Sequence, residues 1–298
     1  MWTLFATAKP FSHPHNARIQ RNALTSWTLL RPRPEVILFG DEPGVAEICQ
    51  ELGFRHVPQI SRNDLGTPFL NDLFQKAQQI SSFQILAYVN ADIILLSDFT
   101  QALEQIPQWP NDFLLVGQRW DLDIQETIDF FTPDWERPLR ELVQKRGKRQ
   151  PLKWVDYFVF PKGLFAHVLP LAIGRNLWDN WLIWYALHRG ATVIDGTPCV
   201  LAIHQNHDYS HIQKGSEPAS LSPEAFRNAE IMDDWRCHMC NIGHAQYVLT
   251  SKGLRRAFRP AFLSSYLKLW FWQGVRWTRP FRQALGLNKK TFYFLRKS

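Results

Sequence analysis

The stretch that most constrains this chain is Ile85 to Leu96, ILAYVNADIILL, apolar on both sides of one polar interruption, Asn90-Ala91-Asp92. A continuous Val/Ile/Leu/Tyr run without polar alternation is the pattern of a strand buried on both faces, at the centre of an α/β sheet. A carboxylate closing such a strand is costly unless a metal, a hydrogen bond or water receives it. In open α/β sheets, ligands bind outside the carboxyl ends of the strands, which is where Asp92 would stand. Taken alone, the stretch fits a strand ending in a solvated turn equally well.

The residues before it supply the rest of a parallel sheet. Trp2 to Ala6 is an apolar run and a first strand. Asn16 to Leu30 carries Ile19, Ala23, Leu24, Trp27 and Leu30 at helical spacing, and Pro32 and Pro34 end the pattern. Val36 to Phe39 is a second strand. Val45 to Leu52 is a helix closed by Gly53, and Arg55 to Val57 a short third strand. A helix is expected over residues 66 to 80, opened by Thr67-Pro68 as cap and first position. The resulting β-α-β-α-β-α-β order predicts a mostly parallel sheet flanked by crossover helices.

Further on, a helix is expected over Asp98 to Ile106 and a strand over Phe113 to Val116. From about Gln118, through Arg119-Trp120-Asp121-Leu122-Asp123 and residues 132 to 153, the pattern predicts loops or a mobile flap. Strand character returns at Val155 to Phe160 and Thr192 to Ile194, with an aromatic helix over Asn180 to Arg189 between them.

Charge divides the chain into a body, residues 1–234, and an extension, residues 235–298. The extension carries 13 of the 34 Lys and Arg and none of the 27 acids, so the basic balance belongs to it and the body is mildly acidic. Four cysteines (Cys49, Cys199, Cys237, Cys240) are too few and scattered for a disulfide framework. No signal-peptide pattern and no apolar run of about 18 residues is present, so a cytoplasmic body is expected.

An acidic motif closing a mid-chain buried strand, after an N-terminal nucleotide-fold half, resembles the GT-A glycosyltransferases, and most closely the family-2-like bacterial ones. The resemblance covers roughly residues 2 to 211. It implies a Rossmann-like GT-A fold, here with a helical basic C-terminal extension. It also implies a nucleotide-diphosphate-sugar donor whose metal is held by a DxD-type motif. Here that motif reads Asn90-Ala91-Asp92, with Asn in place of the first Asp. Trp178-Asp179-Asn180-Trp181 stands where inverting members place an acidic base. Ala202-Ile203-His204-Gln205-Asn206-His207-Asp208 stands where GT-A enzymes often supply a histidine ligand.

The chemistry the resemblance implies can be assigned residue by residue. A divalent ion neutralises the leaving diphosphate, and Asp92 offers a hard oxygen suited to Mg²⁺ or Mn²⁺. His204 or His207 would add an imidazole, which favours Mn²⁺. His204 is preferred because it directly follows the apolar run from Val200 to Ile203. Asp179 is the candidate base, with a plain helix N-cap or first-turn acid as the bland alternative. Asp156, opening DYFVF, is the second catalytic candidate, for binding acceptor or donor sugar. Thr7, Lys9, Asp41, Thr67, Asn71, Asn90 and Arg119 are the candidates for holding the nucleotide, with Arg119 meeting the diphosphate.

From Arg255 onward, Phe258, Phe262, Trp270, Phe271, Trp272, Trp277 and Phe281 are interleaved with eleven bases. Basic and aromatic residues together fit a helix at an anionic membrane interface. That suits a glycan or lipid-linked acceptor of the kind used for cell-surface polysaccharide, with the enzyme peripheral at the inner membrane face. The same tail packed back on the body is the bland reading. Two rival functions are weighed. A nucleotidyltransferase would share the sheet, but Thr7-Ala8-Lys9-Pro10 is no glycine-rich loop. A non-catalytic zinc- or nucleic-acid-binding protein would use His204, His207, Cys237, Cys240 and the basic tail, but no nucleic-acid module accompanies them.

Overall fold

The computed structural model describes residues 1–110, 112–206, 222–232 and 234–257. The buried strands run at its centre because their side chains must be covered on both faces. The first half alternates β1 (Thr3–Thr7), α1 (Pro14–Thr28), β2 (Glu35–Phe39), α2 (Val45–Leu52), β3 (Arg55–Val57), α3 (Leu70–Ile80) and β4 (Ile85–Val89). Then come β5 (Ile93–Ile94), α4 (Ser97–Leu103), β6 (Phe113–Leu122), α5 (Glu136–Arg146), β7 (Lys148–Arg149) and β8 (Val155–Pro161). They are followed by α6 (Trp178–His188), β9 (Thr192–Asp195), β10 (Ala202–Gln205), α7 (Pro223–Ile231), β11 (Tyr247–Thr250) and β12 (Gly253–Arg256).

The main sheet has the order β12-β11-β9-β6-β8-β4-β1-β2-β3. Within it β1 is parallel to β2 and β4, β2 to β3, β6 to β9 and β9 to β11, while β8 runs antiparallel between β4 and β6. The expected α/β architecture, a mostly parallel sheet with helices on its faces, is therefore present. Alternation along each strand sorts the core into two layers. Phe5, Tyr88, Val116 and Phe158 face α3 and α6. Leu4, Ala6, Val89, Leu115 and Tyr157 face α1, α2 and α4. The sheet continues past the charge boundary at residue 234, and one compact unit runs from Met1 to Ala257. Among the described residues no helix is long and apolar enough to cross a membrane.

Four sequence expectations are corrected. The stretch from Ile85 to Leu96 is not one strand: it breaks at Asn90–Asp92 into β4 and the short β5. The helix expected from residue 66 begins at Leu70, because residues before it pair laterally instead. The Pro68 carbonyl accepts from Ile173 N–H at 3.1 Å and Thr67 O from Asn63 N–H at 3.0 Å, so Thr67-Pro68 caps nothing. The stretch from Gln118 to Leu122 is strand, not flap. A bulge between Val116 and Gln118 swings the end of β6 out of the main sheet to pair with β10 and β7. Residues 132 to 153 contain α5 and β7. Their apolar content is too sparse to show a period, since α5 buries only Leu139 and Val143.

Candidate functional site

The β4–β5 turn is held from α1. Trp27 Nε1 donates to Ile93 O at 2.9 Å, Leu95 N–H donates to Ser26 Oγ at 3.2 Å, and Gln205 Nε2 reaches Asp92 O at 3.3 Å. Gln205 is itself fixed by Asn22 and by Ile19 O, so α1, β5 and β10 are locked together at the motif. Strands β4 and β6 end at this edge and the antiparallel β8 begins there. Their polar terminal residues therefore converge, as expected at the carboxyl ends of parallel strands.

A continuous polar cluster results. Tyr88 Oη donates to Asn90 Oδ1 at 2.8 Å and also meets Thr7. Asn90 Nδ2 donates to Asp156 Oδ1, whose partner oxygen Oδ2 accepts from an Arg119 terminal nitrogen at 2.8 Å. Arg119 Nε donates to Asp121 Oδ1 at 2.9 Å. The same Asp121 oxygen lies 3.2 Å from His204 Nδ1 in a bent contact, and His204 Nε2 lies 3.7 Å from Asp92 Oδ2. Parallel register sets His204 opposite Asp121, and antiparallel register sets it opposite Ile93.

The electrostatics follow from burial and neighbours. Burial works against the Arg119 charge, but Asp156, Asp121 and Asp92 hold the guanidinium firmly protonated, and it stacks over Trp154 with 5.0 Å to the ring centroid. Burial tends to raise the Asp121 carboxyl, yet His204 and Arg119 hold it below the usual range. Burial, together with the charges of Asp156 and Asp92, pushes the Tyr88 phenol up.

Asp179 lies in the first turn of α6, where a helix dipole would favour its charge. Burial overrides that preference and pushes its carboxyl up to about 7, helped by the nearby Asp156 charge and opposed by backbone N–H groups of Asn180 and Val155. It is not the helix N-cap. That position is Leu177, whose φ of 79° makes it the only non-glycine residue with positive φ among the described residues. A left-handed leucine costs on the order of 1 kcal/mol, so local strain is stored two residues before the acid. Trp178 and Trp181 are core. Trp178 packs edge-on against Tyr88, and Trp181 is buried beside Tyr185.

The remaining nucleotide candidates are placed differently. Thr7 ends β1 against Tyr88. The backbone of Lys9 is pinned by Gln20, which accepts from Lys9 N–H at 2.6 Å and donates to Lys9 O at 2.9 Å. Asp41 is exposed and pairs with Arg62 at 2.9 Å. Thr67 belongs to a separate hydrogen-bonded set, where it accepts from Arg175 at 3.1 Å beside Glu224 and Asn63. A cleft of about 370 Å³ adjoins that set, lined by Arg62, Asp64, Glu224 and Arg227 among others. Asn71 Oδ1 is buried without a hydrogen-bond partner among the described residues. Sequence reasoning passed over Asp121 because its stretch was read as loop. The i, i+2 spacing of Arg119 and Asp121, which puts both on one face of a strand, was the available signal.

Asp92 and His204 present a hard oxygen and an imidazole close enough to share one divalent cation, so the donor set fits Mn²⁺. Among the described residues no group of three His, Cys, Asp or Glu is gathered around such a point, and His207 lies outside them. Any further ligands would come from a bound ligand and water. The zinc set gains nothing. Cys237 and Cys240 are buried in the core with α6, and burial pushes both thiols up to about 12, against the thiolate zinc requires. Their turn instead supports α6, since Asn180 Nδ2 donates to Cys240 O. The aromatic tail, residues 258–298, lies outside the described residues.

No family model matches the sequence, and no curated protein matches it. The chain is similar to several solved structures at low identity. A fragment of S. aureus TarS with UDP-GlcNAc is 11% identical with a TM-score of 0.48, covering 78% of this chain and 64% of that one. Glucosyl-3-phosphoglycerate synthase from Mycobacterium tuberculosis with Mn²⁺, UDP and phosphoglyceric acid is 15% identical with a TM-score of 0.48, covering 87% of each chain. Mannosyltransferase PcManGT from Pyrobaculum calidifontis with GDP-Man and Mn²⁺ is 10% identical with a TM-score of 0.45, covering 80% of this chain and 72% of that one.

Proposed function

We propose that the chain is a GT-A-type glycosyltransferase that moves a sugar from a nucleoside-diphosphate donor to a hydroxyl acceptor with a divalent metal. One observation carries the reading: at the carboxyl edge of the sheet, Asp92 Oδ2 lies 3.7 Å from His204 Nε2 within the same polar cluster as Asp156, whose charge helps burial push the Asp179 carboxyl up to about 7. Transfer away from a diphosphate needs both a cation for the leaving charge and a base for the acceptor proton.

Asp92 and His204 would hold the metal, which supplies Lewis-acid stabilisation of the departing diphosphate. Asp179 takes the acceptor hydroxyl proton as the oxygen attacks. A carboxyl near 7 binds that proton far more readily than an ordinary aspartate while remaining largely ionised at pH 8. Asp156 is fixed on both oxygens by Asn90 and Arg119, and its charge helps raise the Asp179 carboxyl. Thr7, Lys9 and Asp41, at the ends of the first two strands, would receive the nucleotide. The acceptor is a glycan or a lipid-linked glycan, and the basic aromatic tail suits enzyme action at an anionic membrane face.

The test is thermal shift with UDP-, GDP- and dTDP-sugars, with and without Mn²⁺, on wild type and Asp92→Ala. A ligand that binds only the folded state raises the melting temperature by mass action. One donor should stabilise the wild type only with Mn²⁺ present, and Asp92→Ala should abolish that gain. No shift with any donor would refute the transferase reading.

A further inference from the structure

We propose that Asp121 is a positioning residue of the metal site: it accepts the Nδ1–H of His204 as a hydrogen bond and so leaves the Nε2 lone pair facing Asp92. This rests on the metal-assisted reading above and adds a residue and a tautomer to it.

Three features of the fold support the assignment. A neutral imidazole carries its proton on one nitrogen, and the partner of that nitrogen decides which is left to ligate. His204 has a carboxylate on each side, Asp121 Oδ1 at 3.2 Å from Nδ1 and Asp92 Oδ2 at 3.7 Å from Nε2. The two carboxylates are not equivalent. Asp121 is the closer, and the register of β10 on β6 places it directly opposite His204 in a rigid strand pair. Asp92 belongs instead to the β4–β5 turn, at the strand edge where ligands arrive.

Arg119 makes Asp121 a dedicated partner. Its Nε donates to the same Asp121 oxygen that faces His204, and another of its nitrogens bonds Asp156. The guanidinium fixes the carboxylate in place, so the carboxylate is preset before any cation arrives. A carboxylate behind a ligating histidine fixes the ring orientation and raises the basicity of the free nitrogen. The chain Arg119–Asp121–His204 thus does for the cation what Arg119–Asp156–Asn90 does for the acid side of the site. One arginine orders both.

The experiment has two readouts, one of which needs no metal. The first is the ¹⁵N spectrum of the His204 ring at pH 8 in ¹⁵N-histidine-labelled full-length protein, assigned with His204→Gln. The wild type should show the Nδ1–H tautomer, and Asp121→Ala should lose that preference. The second is direct Mn²⁺ binding, followed by the electron paramagnetic resonance of free Mn²⁺ with UDP and with GDP present. Asp121→Ala should bind about 10- to 100-fold more weakly. Asp121→Asn, which keeps an acceptor oxygen, should fall between it and the wild type. The exposed neighbour variant Asp123→Asn should bind like wild type, separating orientation from a general loss of charge.

A wild-type ring protonated on Nε2 overturns the proposal, as does a folded Asp121→Ala that binds Mn²⁺ within twofold of wild type, and in both cases the transferase reading survives. A wild type that takes up no Mn²⁺ with either nucleotide removes the metal reading and this proposal together. If Asp121→Ala does not fold, Asp121→Asn and the wild-type tautomer still decide.

Discussion

Asp156 is gripped from both sides: Arg119 reaches its Oδ2 at 2.8 Å, and the Asn90 amide donates to its Oδ1. The acid, its cation and its amide come from β8, β6 and the β4–β5 turn, three segments far apart in the chain. This grip fixes a carboxylate near Asp179, and its parts can be removed one at a time.

Arg119→Ala leaves Asp156 and Asp121 as partly buried charges without their cation. Removing one partner of such a pair is expected to cost about 3 kcal/mol. Asp156→Asn added to Arg119→Ala should recover part of that loss, because it removes a stranded charge. Urea denaturation of the two single variants and the double variant measures the coupling. Simple additivity would mean that the pair contributes no interaction energy.

Asn90→Asp would turn a donated hydrogen bond into a meeting of two carboxylates, while the Tyr88 hydroxyl still has an oxygen to bond. Like charges at that range raise the apparent pKa of the pair. The variant should be destabilised by about 2 kcal/mol at pH 8 and by less at pH 5, where one acid holds a proton. Equal stability of the variant and wild type at both values would show that Asn90 does not serve Asp156.

Asp179 sets the pH dependence. Its folded-state carboxyl stands at about 7, above the unfolded value of about 4. Folding therefore favours the protonated form. The stability this contributes is fully present below about pH 4 and is lost as pH rises through about 7. Asp179→Asn, which resembles the protonated acid, should melt several degrees above wild type at pH 8 and alongside it at pH 4. Its turnover should fall about 10²- to 10⁴-fold, and wild-type kcat/KM should climb through about pH 7. A melting difference that does not change with pH would contradict the assignment.

Gly117 sits at the bulge that swings β6 toward the site. A Cβ there would collide with Tyr157 Oη and crowd Thr197 N at 3.0 Å. Gly117→Ala should cost about 1 to 3 kcal/mol, and if the strand shifts to relieve the collision, Mn²⁺ affinity should fall as well. Gly117→Ala/Tyr157→Phe should regain part of the stability. Failure of that rescue would place the strain elsewhere.

The alternating elements of the first half were legible because β1, β2 and β4 are apolar enough to require burial, and the helix between β1 and β2 shows its period. Asn90-Ala91-Asp92, Asp156, Asp179 and His204 stood out because each is a polar residue bordering or interrupting an apolar run. Arg119 and Asp156 were named, but their pairing was not. Asp121 and the strand character of residues 118 to 122 were hidden, because a strand end lined by charged groups carries no hydrophobic alternation. Thr67 was legible as a cap and serves as something else, because a cap pattern does not register lateral partners such as Arg175.

What the sequence determined by itself is therefore the layered α/β sheet and the edge at which its polar residues end, since burial of apolar runs is a local requirement written residue by residue. What only the tertiary structure decided is which charges meet. The pairing of Asp121 with His204, of Arg119 with Asp156, and the burial that raises Asp179 depend on strand order, on register and on one bulge at Gly117. Those are set by contacts between segments 37 to 83 residues apart, which no local pattern encodes.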